Sequence, residues 1–365
     1  MSYRIGKMGV AEGIALVCIS VSSHIFLMLP ARAMSEAASL AWLVVIISGM
    51  VSLLIVLMLI YLLQSDSEDL IDMLGRLLGK KMTKIVLSYY IAAFGGNVVL
   101  LLRQFIENTL LSTLPEADFN LILIFYMIFI ITIVYIGIEP IARSCYLLLP
   151  VIALALITVG ILLLPLYDSR NLLPWFGTGA GPVLQSALTK VTIIFPPILL
   201  LFIAPALQDK KAMRTIALFS LGLSTVMKSF TVLVFTLVFG VAVGQEKMLP
   251  FFEMARLVYL NRYLQHIEAI FIPVWIITGI LSIAISLYMT ASLLTRLLNL
   301  PSLRPLLPLL ASLLIQLTLL PPTLSDVFKL ETFFNQYLII GTYLIPVLLM
   351  IISLIKRRRT PCSTD

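Results

Sequence analysis

Charged residues are scarce in this chain of 365 residues: they make up 12% of it, whereas soluble domains carry roughly a quarter. Polar stretches are short throughout and leave no room for a soluble domain between the apolar runs. Apolar residues make up 61% of the sequence, and the mean hydropathy is +1.09. This composition excludes an ordinary soluble globular protein and indicates a polytopic membrane protein.

The residues that usually build catalytic and metal centres are also rare or scattered. The three cysteines, Cys18, Cys145 and Cys362, show no paired spacing, so neither a disulfide framework nor a metal site is indicated. There are two histidines, His24 and His266, and no GxSxG sequence, Walker-type phosphate loop or metal-spaced cluster of His, Cys, Asp and Glu. We therefore expect no enzyme activity, no cofactor and no metal.

Ten apolar runs are long enough to cross a bilayer, which takes about 17–25 residues. They lie near residues 9–30, 40–63, 84–112, 119–138, 144–166, 184–207, 215–243, 268–295, 303–320 and 334–355. The sequence therefore predicts a single integral membrane domain over residues 1–365.

Lysine and arginine residues between these runs predict the orientation, because they are enriched on the cytoplasmic side of membrane proteins. Sixteen fall on the side of the N-terminus and six on the other side. We therefore expect both termini in the cytoplasm, which requires an even number of spans. Since the net charge of +7 comes from residues on one side of the membrane, it does not indicate nucleic acid as a partner.

The sixth run carries adjacent prolines, Pro196 and Pro197, near its middle. Each proline removes a backbone N–H and clashes with the carbonyl four residues earlier, so a regular helix cannot continue through the pair. Non-helical backbone at this depth persists where it is packed inside protein or lines a wet cavity. The segment Phe195, Pro196 and Pro197 is therefore predicted to be a ligand-binding break between two half-helices, as in secondary transporters. A plain proline kink without a ligand is the alternative.

Two short amphipathic segments occupy the same place in the two halves of the chain. One, about residues 67–79, follows the second span, and the other, about 250–266, follows the seventh. Such helices lie in the membrane interface. Because five is odd, two five-helix units, repeat one about 9–166 and repeat two about 184–355, must be inverted relative to each other, as in many secondary transporters. Two unrelated loops are the alternative.

A repeat of this kind predicts that the first span is broken like the sixth. Its middle holds Ser20, Ser22, Ser23 and His24. Serine hydroxyls weaken a helix by offering the backbone alternative hydrogen bonds. We interpret these residues as a ligand-binding break, although serine clusters also occur where transmembrane helices pack closely. For His24 the alternatives are contact with a ligand or proton and a buried histidine bonded to a carbonyl.

Further polar residues lie inside the predicted spans. Asn97 follows Gly95 and Gly96 in the third span, and Ser282 and Ser286 lie in the eighth. Each of Asn97, Ser282 and Ser286 is a candidate for lining the ligand cavity, and helix packing is the alternative.

Three charged residues also lie inside predicted spans, where ionisable groups are costly and are functional hypotheses by default. Arg103 and Glu107 are spaced i, i+4 and can pair on one face of the third helix, as a structural pair or as part of the site. Lys228 lies deep in the seventh span and could carry a coupling proton or replace a bound sodium ion. Extension of its side chain toward the inner interface is the alternative.

Residues 249–279 read LPFFEMARLVYLNRYLQHIEAIFIPVWIITG, which resembles a known family. The matching residues are Pro250, Glu253, Ala255, Arg256, Ile267, Glu268, Ala269, Ile270, Phe271 and Trp275. With the ten predicted spans and the chain length, they make the whole chain similar to the permease-like B subunit of nutrient germinant receptors in endospore-forming bacteria. That family is a branch of the amino acid–polyamine–organocation transporter superfamily.

The resemblance implies an all-α membrane protein with a leucine-transporter-like (LeuT-like) fold, in which ten transmembrane helices form two inverted five-helix repeats with helices 1 and 6 broken. It implies a solute pocket between the two breaks, bordered by the third and eighth helices, where the candidate residues above fall. The implied function is sensing of a nutrient, often an amino acid, in the inner spore membrane. The implied partners are an A-subunit-like membrane protein and a C-subunit lipoprotein, besides membrane lipid. A proton-coupled amino acid or amine transporter and a purely structural subunit are the alternatives.

Overall fold

The computed structural model describes residues 7–64, 69–190, 198–259 and 268–359. Within these ranges the regular secondary structure is helical, apart from an isolated parallel bridge between Met8 and Leu207. The predicted all-α architecture is therefore confirmed.

The first half of the chain contains seven α-helices in the described ranges. They are α1 (Val10–Ser22), α2 (Leu29–Ala37), α3 (Ala41–Gln64), α4 (Leu70–Leu78), α5 (Lys80–Ser112), α6 (Phe119–Ile136) and α7 (Ile138–Leu162). Short 3-10 turns at Ser23–Phe26 and Ala38–Leu40 connect α1, α2 and α3, and two more follow α7 at Leu164–Leu166 and Ser169–Leu172.

The second half contains eight α-helices in the described ranges. They are α8 (Ala180–Lys190), α9 (Leu199–Ile203), α10 (Met213–Gly244), α11 (Pro250–Arg256), α12 (Glu268–Leu297), α13 (Leu306–Leu319), α14 (Leu324–Ile339) and α15 (Ile345–Arg359). A π-helical turn at Ile340–Leu344 joins α14 to α15. 3-10 turns at Ala204–Ala206 and Lys210–Ala212 lie between α9 and α10.

Seven helical stretches in the described residues are long and apolar enough to cross a membrane. Two shorter apolar helical stretches, Val10–Phe26 and Leu306–Leu319, correspond to the first and ninth predicted spans. The sixth predicted span includes residues 191–197, which lie outside the described ranges. The chain is an integral membrane protein, and the count of ten spans stays a prediction.

The first span is broken, as predicted. The α conformation ends at Ser22, residues Ser23–Phe26 form a 3-10 turn, and Leu27 is extended with φ −105° and ψ −159° before α2 begins. The predicted break of the sixth span at Phe195, Pro196 and Pro197 lies outside the described residues and stays a prediction.

Four long helices and α1 form the centre of the bundle. Helix α12 packs against α5, helix α10 packs against α3, and α1 contacts both α10 and α12. Small residues allow this close approach: a Cβ at Gly279 in α12 would lie 2.4 Å from the Phe105 ring in α5. The α3–α10 and α5–α12 pairs are the second and third helices of the two predicted repeats.

The short helices α4 and α11 each follow the second long helix of one half of the chain. Helix α4 lies within the predicted segment 67–79, of which residues 67 and 68 lie outside the described ranges. Helix α11 ends at Arg256, and residues 260–266 of its predicted segment also lie outside them. The interfacial position of both helices and the boundaries of the repeats stay predictions.

Candidate functional site

Ser23 and Ser282 join the broken first helix to α12. The Ser282 hydroxyl donates to Ser23 Oγ at 3.0 Å and lies 3.4 Å from the backbone carbonyl oxygen of Ser20. Because the α-helical hydrogen bonding of α1 ends at Ser22, carbonyls in its last turn need partners from outside the helix. The loss of helical backbone at the break therefore provides acceptors that a continuous helix would not offer.

A second hydrogen bond brings α5 to the same place. Asn97 Nδ2 donates to Ser286 Oγ at 2.9 Å, and Ser286 in turn donates to the Ser282 carbonyl at 3.1 Å. We call Ser20, Ser22, Ser23, Asn97, Ser282 and Ser286 the hydroxyl cluster; none of them is more than 8% exposed. The structure thus brings together predicted site residues from three helices.

Ser20 and Ser22 contribute to the cluster in different ways. The Ser20 hydroxyl donates to the Val17 carbonyl at 2.8 Å, which keeps it on its own helix. Ser22 Oγ lies 3.7 Å from Cys18 Sγ, one turn earlier in α1. The Ser22 hydroxyl therefore faces a weak partner, since thiols are poor hydrogen-bonding groups.

Two buried nitrogen atoms in this part of the bundle have no hydrogen-bond partner among the described residues. Lys228 of α10 is 2% exposed, and its Nζ has no hydrogen-bond partner among the described residues. The same holds for the buried Nε2 of His24. Lys228 lies within electrostatic range of His24 and Cys18. The predicted candidates His24 and Lys228 thus share one region.

Arg103 and Glu107 form the predicted i, i+4 ion pair, with Arg103 Nη2 2.8 Å from Glu107 Oε1. The guanidinium also lies 3.4 Å from the Thr318 carbonyl oxygen and 4.3 Å above the Phe119 ring. These contacts tie α5 to α13 and α6. Arg103 follows Asn97 by six residues, or about 9 Å along the helix axis. The geometry therefore favours the structural interpretation of this pair.

A polar group that the sequence did not reveal lies toward the same end of α5 as Arg103. Glu331 of α14 pairs with Arg32 of α2 across 2.7 Å and accepts a hydrogen bond from Gln104 Nε2 of α5 at 2.8 Å. The Arg32 guanidinium lies 5.0 Å from the centre of the Phe328 ring. This contact, here called the Arg32–Glu331 latch, joins the helix that follows the break to two other helices.

A cavity of about 110 Å³ lies beyond the hydroxyl cluster, toward the opposite end of the bundle from the latch. Its walls include Phe202, Tyr288, Met289, Thr295, Arg296 and Ser302. These residues come from α9, from the last turns of α12 and from the segment after it. Met289 follows Ser286 by three residues, so the cavity approaches the cluster within one helical turn.

Comparison with protein families gives a match across most of the chain. The spore permease family model, described as "Spore germination protein", matches residues 10–327. Spore germination protein KB of Bacillus subtilis (strain 168) is 26% identical over 234 residues, which is 62% of this chain and 61% of that protein. Spore germination protein YndE of the same strain is 21% identical over 333 residues, or 87% of this chain and 88% of that protein.

Solved structures with the same fold are transporters of the LeuT type. MhsT in complex with L-phenylalanine superposes with a TM-score of 0.62 at 14% identity, covering 94% of this chain and 97% of that one. Mhp1, a nucleobase-cation-symport-1 family transporter with bromovinylhydantoin bound, gives 0.71 at 13% identity, covering 99% and 81%. A Na⁺-coupled sialic acid symporter in a substrate-bound outward-open state gives 0.62 at 13% identity, covering 92% and 78%. The predicted LeuT-like fold class is confirmed.

Proposed function

The chain belongs to the spore permease family of spore germination proteins, and from that membership we propose that it is the nutrient-sensing subunit of a spore germinant receptor. The ligand is a small solute that binds at the hydroxyl cluster, and amino acids are the class we propose. The family and the fold are those of transporters and receptors, and we assign the chain no catalytic role.

The Ser282–Ser23 hydrogen bond is the observation that carries this proposal. It lies where the first helix loses its α geometry, and it is buried between helices that pack at the centre of the bundle. Hydroxyls and carbonyls at a mid-membrane helix break are the groups with which transporter folds hold small solutes. A ligand that exchanges hydrogen bonds with Ser23 and Ser282 changes the contact between α1 and α12.

The two ends of the bundle differ in a way that suits a sensor. The latch connects α2, α5 and α14 at one end, whereas the cavity lies at the other. A ligand can shift such an arrangement only by binding one of its conformations more tightly than another. We propose that ligand binding at the break shifts the conformational equilibrium of α2, and with it the equilibrium between the closed and open latch.

We further propose the setting that this role requires. The chain lies in the inner spore membrane with both termini in the cytoplasm, and it assembles with an A-subunit-like membrane protein and a C-subunit lipoprotein. The conformational change in this chain is then transmitted to those partners.

Deletion of the gene in a spore-forming host tests the proposal. Spores without the chain should lose germination in response to one nutrient and keep their response to nutrients that act through other receptors. Complementation with the wild-type gene should restore the response, and complementation with Ser282→Ala should restore it poorly. If a deletion strain without paralogues germinated normally in response to every nutrient, this result would contradict the proposed receptor function.

A proton-coupled amino acid or amine transporter is the second candidate, favoured by the cavity at one end and the latch at the other. This asymmetry is what alternating access requires. Concentrative uptake of a labelled amino acid into proteoliposomes, driven by a pH gradient, would support transport. Ligand binding without uptake would support the receptor.

A further inference from the structure

Lys228 presents the most unusual electrostatic situation in the part of the chain that the structure describes. It lies in the middle of α10, is 2% exposed and has no hydrogen-bond partner for its Nζ among the described residues. A buried ammonium without a partner is strongly unfavourable, because desolvation of a charge is offset only by pairing and hydrogen bonding. Inside a membrane such a residue is retained for a function.

The position of Lys228 connects this charge to the broken helix. Helix α10 packs along α1 and α2, which flank the break. Lys228 lies within electrostatic range of His24 and of Cys18, whose Sγ lies 3.7 Å from Ser22 Oγ. The ammonium therefore lies beside the segment that carries Ser20, Ser22 and Ser23 of the hydroxyl cluster.

The polar side chains of the broken segment, Ser20, Ser22, Ser23 and His24, include no carboxylate. The hydroxyl cluster carries no carboxylate, and His24, whose Nε2 is also without a partner in the described residues, cannot neutralise a cation. Glu331, the carboxylate of the latch, already binds Arg32 and Gln104. Among the described side chains named here, the site thus has hydrogen-bond donors and one positive charge, and none of them supplies a free carboxylate.

We propose that Lys228 binds the anionic group of the ligand, and that the ligands of this chain are small carboxylates, amino acids among them. This inference rests on the proposed function and narrows its ligand class. In this proposal the Lys228 ammonium pairs with the carboxylate, and the hydroxyls of Ser22 and Ser23 on the broken segment donate to its oxygens. Hydrogen bonds between charged groups are roughly twice as strong as those between neutral groups, and they are stronger still away from water.

Two consequences distinguish this role from a structural one. A ligand whose carboxylate is replaced by a carboxamide should bind at least about tenfold more weakly, because the buried ammonium then stays unpaired. Removal of the charge by Lys228→Met should leave the melting temperature unchanged or higher, since an unpartnered buried charge destabilises the fold. A structural lysine would instead lower the melting temperature when replaced.

The test uses the purified full-length chain in lipid nanodiscs. The probes are the twenty proteinogenic L-amino acids, each compared with its own carboxamide, and the readouts are the melting temperature and the dissociation constant. Three proteins are compared: the wild type, Lys228→Met, and the control Thr236→Val. Thr236 lies in the same helix, is buried, and donates to the Val232 carbonyl of its own helix.

We expect at least one amino acid to bind the wild type at least tenfold more tightly than its amide. Lys228→Met should bind that amino acid no better than the amide, and Thr236→Val should keep the preference. The acid-against-amide comparison on the wild type needs no variant, so it stands even if Lys228→Met folds poorly. Equal binding of acid and amide, failure of every carboxylate to bind, or an unchanged preference in Lys228→Met would overturn the proposal.

Germination assays distinguish failure of the carboxylate assignment from failure of the proposed receptor function. If the deletion strain loses its response to a neutral nutrient, such as a sugar, and spores with Lys228→Met keep that response, the receptor function stands and the carboxylate assignment falls. If the deletion changes no response, the receptor function itself falls.

Discussion

Ser282 donates a hydrogen bond to Ser23 across 3.0 Å, and this bond links α12 to the residue at which the first helix leaves the α conformation. Both side chains are at most 1% exposed. A buried hydroxyl left without a partner costs about 1–3 kcal/mol. The contact therefore stabilises this arrangement of the two helices, and a ligand that binds here, as we propose, must replace this bond with its own hydrogen bonds.

A double-mutant cycle tests that link. Ser23→Ala and Ser282→Ala should each lower the free energy of unfolding by about 1 kcal/mol, and the double variant should be destabilised by less than the sum, because the second removal leaves no unpaired hydroxyl. All three variants should respond weakly to ligand. Ser224→Ala is the control, since the Ser224 hydroxyl bonds to the Leu221 carbonyl of its own helix at 3.1 Å. Strictly additive effects would show that the two serines act independently.

The latch gives a prediction about access to the site. Glu331→Gln leaves the partly buried Arg32 guanidinium without its ionic partner, and we expect this end of the bundle to open more often, by about 1–2 kcal/mol in the opening equilibrium. The measurement is alkylation of a single cysteine at Leu27, in a chain whose native cysteines are replaced, by a membrane-impermeant reagent. The rate should rise about tenfold in Glu331→Gln.

Asp326→Asn serves as the matched control for the latch. Asp326 lies in the same helix as Glu331, but it is paired with the exposed Lys329 at 3.2 Å. Its replacement should leave the alkylation rate unchanged. Equal alkylation rates in Glu331→Gln and the parent chain would mean that the latch does not restrict opening of this end of the bundle.

The hydroxyl cluster could be predicted from the sequence because each of its members is unusual in its own span. Serines in an apolar helix, or an asparagine after two glycines, are visible without knowledge of the fold. The latch could not be predicted in this way, because Arg32 and Glu331 lie almost at opposite ends of the chain, and neither residue is unusual where it stands.

The limits of helices were predicted less well than their existence. Apolar runs located α3, α5 and α12, since hydropathy reflects the thickness of the bilayer. The same signal could not show that α11 ends at Arg256, or that a π turn at Ile340–Leu344 interrupts the last span. Both features depend on tertiary packing and local backbone geometry, which leave a weak trace in composition.

Adjacent glycines in α5 differ in their surroundings, and this difference allows a stability prediction with an internal control. A Cβ added at Gly96 would lie 2.3 Å from the ring of Phe334, whereas one added at Gly95 would lie 3.7 Å from its nearest neighbour, in Thr290. Gly96→Ala should therefore lower the free energy of unfolding by about 1–3 kcal/mol through overpacking. Gly95→Ala should be neutral or stabilising by up to about 1 kcal/mol, because alanine favours helix.

Melting temperatures of the two glycine variants in nanodiscs measure this difference. If both variants melt at the same temperature, the contact between α5 and Phe334 of α14 is not tight in solution.

The Arg103–Glu107 pair is expected to affect stability and to leave ligand binding unchanged. Glu107→Gln should lower the free energy of unfolding by about 1–2 kcal/mol, because the buried Arg103 then loses its only carboxylate partner within the described residues. The dissociation constant for a bound amino acid should stay within about twofold. Glu116→Gln, which changes an exposed carboxylate, controls for net charge. A large loss of affinity in Glu107→Gln at unchanged stability would place the pair in the ligand site.

The charge of Lys228 also predicts how ligand binding depends on sodium. Two transporters that share the fold are described as a cation symporter family member and a Na⁺-coupled symporter. In this chain we propose an ammonium beside the break, that of Lys228, whose Nζ has no hydrogen-bond partner among the described residues. Like charges repel strongly away from water, so a sodium ion next to Lys228 is unfavourable. The dissociation constant for an amino acid should therefore be the same in NaCl and in choline chloride at equal ionic strength. In Lys228→Met this repulsion is absent, so sodium-dependent binding in that variant alone would show that the Lys228 charge excludes sodium from the site. An affinity of the wild type that rises with Na⁺ at constant chloride would show that a sodium ion, and not Lys228, neutralises the ligand.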